Sequence, residues 1–207
     1  KKKKQKAYNP AIDDGASRPI RAAVAIGDPQ DKYSEYPSSG LSPRRLAEIF
    51  READEGNVLR QMELFEEMEE KDTHLFSQLQ TRKLAVTGLD WEVQPFSEEE
   101  RDVAVAEFID DQLHGLESLN DVLLDILDAV GKGISLSEIT WGVDSQGRNV
   151  VEDITWVHPK KIFWDSIDDE IKITTREYPQ GIPLPENKFI VHKYKAKSGH
   201  PLSLIHI

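Results

Sequence analysis

The sequence predicts an α+β fold in which helices come first and antiparallel strands follow. Three observations predict it. Apolar residues recur at helical spacing from Ser42 to about Lys132. Beyond Gly131-Lys132-Gly133 the apolar period changes to two. Strands and helices do not alternate as a parallel sheet would require, and no internal repeat of helical-repeat length is visible.

Ser42 before Pro43 is an N-cap with proline at the first helical position, where a missing N–H costs nothing. Leu46, Ile49, Phe50 and Ala53 then recur on one face, so the first helix is expected to run to about Ala53. Gly56-Asn57 breaks it. Val58, Met62, Phe65 and Met68 mark a second amphipathic helix whose other side carries Glu63, Glu66, Glu67, Glu69 and Glu70. Asp72 or Thr73 can cap a third helix with Leu75, Leu79, Arg82 and Val86 on one stripe and Gly88 as its stop. Trp91-Glu92-Val93 reads as a short strand ended by Pro95.

Ser97 to Glu100 fits the S-x-x-E capping box, in which the two side chains satisfy each other's free backbone donors. Val103, Ala106, Ile109, Leu113 and Leu116 are the expected buried stripe of the helix that follows; Leu119, Val122, Leu123, Ile126 and Val130 form that of the next. From Ser97 to Val130 there are eleven acidic residues against the single basic Arg101, which makes the outer faces of this pair strongly negative. Such a surface is either a solvated helix face or one that repels a polyanion.

Ile139, Trp141 and Val143 alternate, Asp144 to Arg148 makes a turn, and Val150, Ile154 and Trp156 return, with an irregularity near Val151. This is a β-hairpin. Ile162-Phe163-Trp164, Ile171 to Thr174 and Phe189 to Tyr194 are further strands, separated by the Pro-rich stretch Tyr178 to Pro185.

The 207 residues divide into three regions. Residues 1–40 form a basic, Pro/Gly-rich arm that opens with five lysines, Lys1 to Lys4 and Lys6, read as a solvated tail rather than a nucleic-acid or capsid contact. Ala7 to Ser17 supplies no apolar core for a signal peptide, so export is not predicted. Residues 41–201 carry the α+β region. Residues 202–207, Leu202 to Ile207, look like the translated end of a sequencing-library adapter, so the natural chain is expected to be longer.

Composition narrows the chemistry. No apolar stretch approaches the roughly 18 residues of a membrane span, and an integral membrane protein is not expected. Zero cysteines remove disulfides, cysteine-liganded zinc and thiol nucleophiles. A net charge of -12 opposes a sequence-reading nucleic-acid binder. Gly131-Lys132-Gly133 lacks the preceding strand and the spacing of a phosphate loop, and reads as helix stop and hairpin entry. His74, His114, His158, His192 and His200 have no ligand spacing, and His158 before Pro159 reads as a turn or packing residue. Asp165, Asp168 and Asp169 could bind a hard cation but lack the glycine and terminal glutamate of a calcium loop. No catalytic constellation assembles, so no catalytic, cofactor-binding or metal residue and no cofactor is assigned, and the chain is read as a non-enzyme.

Leu41 to Gly56, Phe65-Glu66-Glu67-Met68, Asp72-Thr73-His74-Leu75, Thr81 to Val93, Ser135 to Trp141 and Trp156-Val157-His158-Pro159 with Phe163 and Asp165 stand in an order and spacing that resembles Mu-like phage portal proteins. Arg18-Pro19-Ile20 is similar to the family's leaders. One departure is Thr73, where the family pattern would have proline. The likeness runs from about residue 15 to 201. It implies a non-catalytic subunit of a ring, usually of twelve copies, at one capsid vertex, through which a terminase motor drives double-stranded DNA without sequence preference and to which capsid and head-tail joining proteins attach. It further implies residence in the virion, with assembly in the host cytoplasm, no membrane partner, and a wing-type α+β region that ends before the stem and clip. On that view the 207-residue chain does not close a ring alone. Trp91, Trp141, Trp156 and Trp164 would be wing core, or else subunit contacts. The other readings are an acidic adaptor or scaffolding protein of virion assembly, recruiting through the helices between Ser42 and Gly88, and a metal-dependent nuclease using Asp165, Asp168 and Asp169.

Overall fold

The computed structural model describes residues 21–26, 36–165, 167–168 and 170–194. The lysine-rich leader, Asp169, His200 and the tail 202–207 lie outside the described residues.

Helix α1 (Pro43–Asp54) begins as its cap requires, with Ser42 Oγ accepting the Arg45 N–H at 3.2 Å. Gly56 ends the turn after it with φ of +99°, and a Cβ there would lie 2.0 Å from the Trp164 carbonyl oxygen. Only glycine allows that approach. The Gly56 carbonyl in return accepts the Trp164 N–H at 3.1 Å, which ties the helical half to a strand more than a hundred residues on.

Helix α2 (Leu59–Lys71) buries Met62 with Val58 just before it, as the apolar spacing predicts, but Met68 of the expected stripe is exposed and Leu64 is buried in its stead. Its glutamates correct the sequence reading. Glu63 and Glu67 are buried rather than on a solvated side, because lysines from later in the chain reach them. Helix α3 (Thr73–Thr87) is capped by Asp72, whose carboxylate accepts the His74 and Leu75 N–H groups. Its inward stripe is Leu79 with Lys83; Arg82 and Val86, expected there, are exposed.

Residues 91–93 are not a strand: no described residue pairs with them, and Trp91 instead sits 4.8 Å from the His114 ring. Helix α4 (Glu100–Gly115) starts later than a Ser97 cap would place it, with Glu99 in the cap position and without the reciprocal box. Ser97 Oγ accepts from the Glu99 N–H and donates to Asp102, so its oxygen serves the turn before the helix and not the first helical donors. Ala106 is buried on α4, whereas Ile109 of the expected stripe is exposed. Helices α5 (Leu119–Ile126) and α6 (Ala129–Lys132) replace the single predicted helix, and Gly133 closes α6 in the left-handed conformation at φ of +83°.

Strands β1 (Ile134–Val143) and β2 (Asn149–Val157) form the predicted hairpin, with the register slipping between Thr140 and Trp141 so that Glu152 is the extra residue. Strands β3 (Ile162–Asp165), β4 (Glu170–Ile173), β5 (Ile182–Pro183) and β6 (Phe189–Lys193) complete the set. They make two antiparallel three-stranded sheets, β2-β1-β6 and β3-β4-β5. The 3-10 turn Pro159–Lys161 joins them.

One core binds these parts. It consists of Ala25, Ala53, Val58, Met62, Ile134, Leu136, Val157, Ile162, Ile173 and Ile182, drawn from the arm, the α1–α2 corner and both sheets. Burying each larger side chain contributes about 1.5–3 kcal/mol. The buried Leu79, Ala106 and Val122 of α3, α4 and α5 stand outside that cluster. Trp156 and Trp164 are half-buried and Trp91 is exposed, so the expected tryptophan core holds only in part: Trp164 packs on the cluster.

Candidate functional site

Strand β1 is central in its sheet, and its first five residues are all buried. Among them is Glu138, fully buried, in register with Thr155 on one side and Phe189 on the other. Its carboxylate accepts three consecutive backbone N–H groups, from Val24 at 2.6 Å, Ala25 at 2.7 Å and Ile26 at 3.0 Å. Lys188, also fully buried, lies 3.3 Å from it and donates to the Ile139 carbonyl at 2.8 Å. A carboxylate removed from water costs several kcal/mol unless it is both paired and hydrogen-bonded. Glu138 is both. On the other flank Lys161 Nζ donates to the Ala25 carbonyl at 2.7 Å, so the arm is gripped through donors and acceptor alike.

The turn that delivers Lys188 is built to do so. Ile139 N–H donates to the Lys188 carbonyl at 2.8 Å and Trp141 Nε1 to the Asn187 carbonyl at 2.7 Å. Trp141 is therefore a brace for this turn.

A second polar cluster joins α2, α3 and α6. Lys132 Nζ meets Asp128 at 2.7 Å, Glu66, and Glu69 at 3.7 Å, while Lys83 Nζ sits 3.2 Å from both Glu69 and Asp128. Burial alone would depress the Lys132 pKa, but Asp128 and Glu66 outweigh it and raise it. Nearby, burial and then the Lys160 charge push His158 down to about 3, so its ring is neutral and its Nδ1 accepts the Lys160 N–H at 3.1 Å. His158 packs 5.2 Å from the Trp156 ring, the turn and packing role expected of it.

The acidic helix pair has the opposite character. Glu98, Glu99, Glu100, Glu107, Asp111, Glu117 and Asp121 are exposed, and only Asp128 of the eleven is buried. The pair touches the sheet through Gln112, which accepts the Val151 N–H, and through Phe108, whose ring lies 4.5 Å from the Arg148 guanidinium. Asp125, half-buried, has its pKa raised by burial and then by Asp128 and Asp121. An open cleft of about 560 Å³ lies between the end of α3 and the α4–α5 turn, walled by Trp91 and His114.

Of the acids weighed as cation ligands, Asp165 and Asp168 are occupied, both bonding Lys172 Nζ, at 2.6 and 2.7 Å. That bond holds Asp165 below the usual carboxylate range. Among the described residues no group of three or more metal-ligating side chains converges. His192 Nδ1 bonds the Ile126 carbonyl at 2.9 Å and His114 that of Asp110 at 3.0 Å. Sequence reasoning missed Glu138, Lys161, Lys188 and Lys132. The available signal was Glu138 itself, the one charged residue in the otherwise uncharged strand Ile134–Val143.

A family model described as the portal protein of Mu bacteriophage matches residues 62–206. The chain is similar to the Mu-like prophage FluMu protein gp29 of Haemophilus influenzae, 34% identical over 176 residues, which is 83% of this chain and 33% of that protein. It is likewise similar to the portal protein of Escherichia phage Mu, 34% identical over 175 residues, 82% of this chain and 33% of that one. The chain thus spans about a third of the length of the curated relatives it matches.

Proposed function

The chain belongs to the Mu bacteriophage portal protein family, and from that membership we propose that it forms part of a portal subunit: a copy in a ring at one vertex of the phage capsid, through which double-stranded DNA enters and leaves. The observation that carries the reading is the continuous family match from residue 62 to 206. The role is structural and non-catalytic. Terminase, capsid and head-tail joining proteins are the partners of the whole subunit, which resides in the virion and assembles in the host cytoplasm. No described helix is long and apolar enough to cross a membrane.

The charge distribution supports this role. A passage for DNA must not hold it, since each phosphate neutralised by lysine or arginine adds salt-dependent affinity. Here many lysines, among them Lys83, Lys132, Lys160, Lys161 and Lys188, are turned inward, and the exposed charge of α4 and α5 is almost wholly negative. In a ring of identical copies each contact is heterologous, one face meeting a different face of the next copy. Negative-stain imaging of the natural full-length protein tests the reading. Rings with a central hole, twelvefold in projection, are expected; discrete monomers or dimers at high concentration overturn it.

A further inference from the structure

The molecule carries an aromatic knob and, away from it, a pocket whose chemistry suits an aromatic ring. Phe96 is 98% exposed, although an apolar ring of that size gains by leaving water. It is held in place all the same. Pro95 stiffens the backbone before it, and after it Ser97 Oγ accepts the Glu99 N–H and donates to Asp102. Glu98, Glu99 and Glu100 follow directly, all exposed.

The pocket, of about 440 Å³, lies where α2 meets α3. Buried Leu64 and exposed Met68 give it an apolar wall, and a thioether favours an aromatic edge at about 5 Å. Lys71 at its mouth already lies 4.3 Å from one ring, that of Tyr36. The two acids of the pocket are committed: Glu67 to Lys71 and Ser38, and Asp72 to the His74 and Leu75 N–H groups of α3. Arg45 stands beside the pocket residue Ser38, donating to the neutral Ser39 carbonyl at 2.7 Å. The rim therefore offers Lys71 and Arg45 to an acidic stretch such as Glu98 to Glu100. Knob and pocket are set apart in one copy. Helix α3, with 15 residues and so about 22 Å long, separates the pocket at its start from the Trp91 cleft at its end. The chain then enters α4, whose Phe108 and Gln112 rest on the hairpin turn and the start of β2, and Phe96 lies on that side.

We propose that Phe96 of one copy seats in the Leu64–Met68 pocket of the next, with Glu98 to Glu100 facing Lys71 and Arg45. The inference rests on the ring reading for the presence of the next copy. The contact joins two different faces of the same chain, which is the heterologous kind a ring repeats. An aromatic anchor in a pocket is also the kind of contact that dominates an interface.

The sequence has no cysteine, so engineered pairs report one contact at a time. In the natural full-length protein, freed of any cysteine elsewhere, Phe96→Cys and Met68→Cys are placed in one chain; both positions are exposed, so neither change burdens folding. Oxidised after assembly and separated under denaturing, non-reducing conditions, the rings are expected to give a ladder of dimers, trimers and higher species. Each single variant is expected to give nothing above a dimer, and Phe96→Cys with Glu107→Cys a ladder several-fold weaker. Rings without a ladder, a ladder equally strong with Glu107→Cys, or a disulfide closed within one chain overturns the proposal and leaves the portal reading standing. A ladder without rings keeps the contact and removes the ring; neither rings nor ladder overturns both.

Discussion

The region around β1 and the region of α4 and α5 use the same residue types in opposite ways. Around β1 the charges are inside: Glu138 with Lys188, Glu63 with Lys160, and Lys132 and Lys83 among Glu66, Glu69 and Asp128. Each is desolvated and matched, so it fixes one arrangement of chain segments and tolerates no loss of a partner. On α4 and α5 most of the carboxylates are outside, and among the described residues only Asp110, beside His114, has an ion-pair partner, so they set a field rather than a geometry. Charge is architecture in the first region and surface in the second.

Substitutions should expose that difference, most strongly at Glu138. Glu138→Ala leaves Lys188 buried without its carboxylate and three amides without their acceptor, and is expected to cost about 3–5 kcal/mol in urea unfolding. Glu107→Ala on α4 is expected to shift stability by about 0.5 kcal/mol or less; a cost comparable to that at Glu138 would erase the distinction.

The glycines sharpen it further. Gly56→Ala forces a Cβ onto the Trp164 carbonyl at positive φ and is expected to cost at least about 2 kcal/mol. Gly115, at the end of α4, has nothing within 4 Å of a built Cβ. Gly115→Ala is therefore expected to stabilise, by about 0.4–1 kcal/mol. Thermal melts of the two variants moving in the same direction would break the contrast.

Acid should act on the two regions with opposite sign. His158 has its folded pKa depressed to about 3, so between pH 6.5 and 3 the unfolded chain binds a proton that the folded chain refuses. Stability then falls by up to about 1.4 kcal/mol per pH unit on acidification, and His158→Asn, which can keep the cap, flattens that slope. Asp125 runs the other way. Its raised folded pKa means the folded chain binds the proton more readily, so lowering the pH relieves it, and Asp125→Asn gives a small gain in stability at pH 7. Urea titrations at several pH values distinguish these outcomes.

The smallest effect concerns DNA. Glu107→Lys with Asp111→Lys is expected to leave stability nearly unchanged and to add weak affinity for double-stranded DNA that disappears at high salt, measured by fluorescence anisotropy. No added affinity would mean that the acidic face does not govern the interaction with DNA.

What the sequence made legible follows from how local the cause is. Helix α1 with its Ser42-Pro43 start, the hairpin with its irregularity, and Gly133 as a helix stop are each decided within a few residues. The failures are non-local. Trp91-Glu92-Val93 has strand-like residues but, among the described residues, no strand pairs with it. Glu63 and Glu67 sit on the polar side of α2 by periodicity, yet Lys160 covers the first and Ser38 of the arm the second, both far along the chain; only the Glu67–Lys71 pair is local. The Glu138 seat joins residues separated by more than a hundred positions, and no local pattern announces it. The family resemblance was legible because it rests on order and spacing along the chain, which periodicity does not measure.

Because Glu138 addresses peptide groups and not side chains, the arm is shielded from most point changes in its own spelling. Positions 24 and 26 can drift among apolar residues over generations while the attachment persists. The geometry acts as a prohibition, against proline anywhere in the tripeptide and against bulk at its centre, and leaves the remaining choices open.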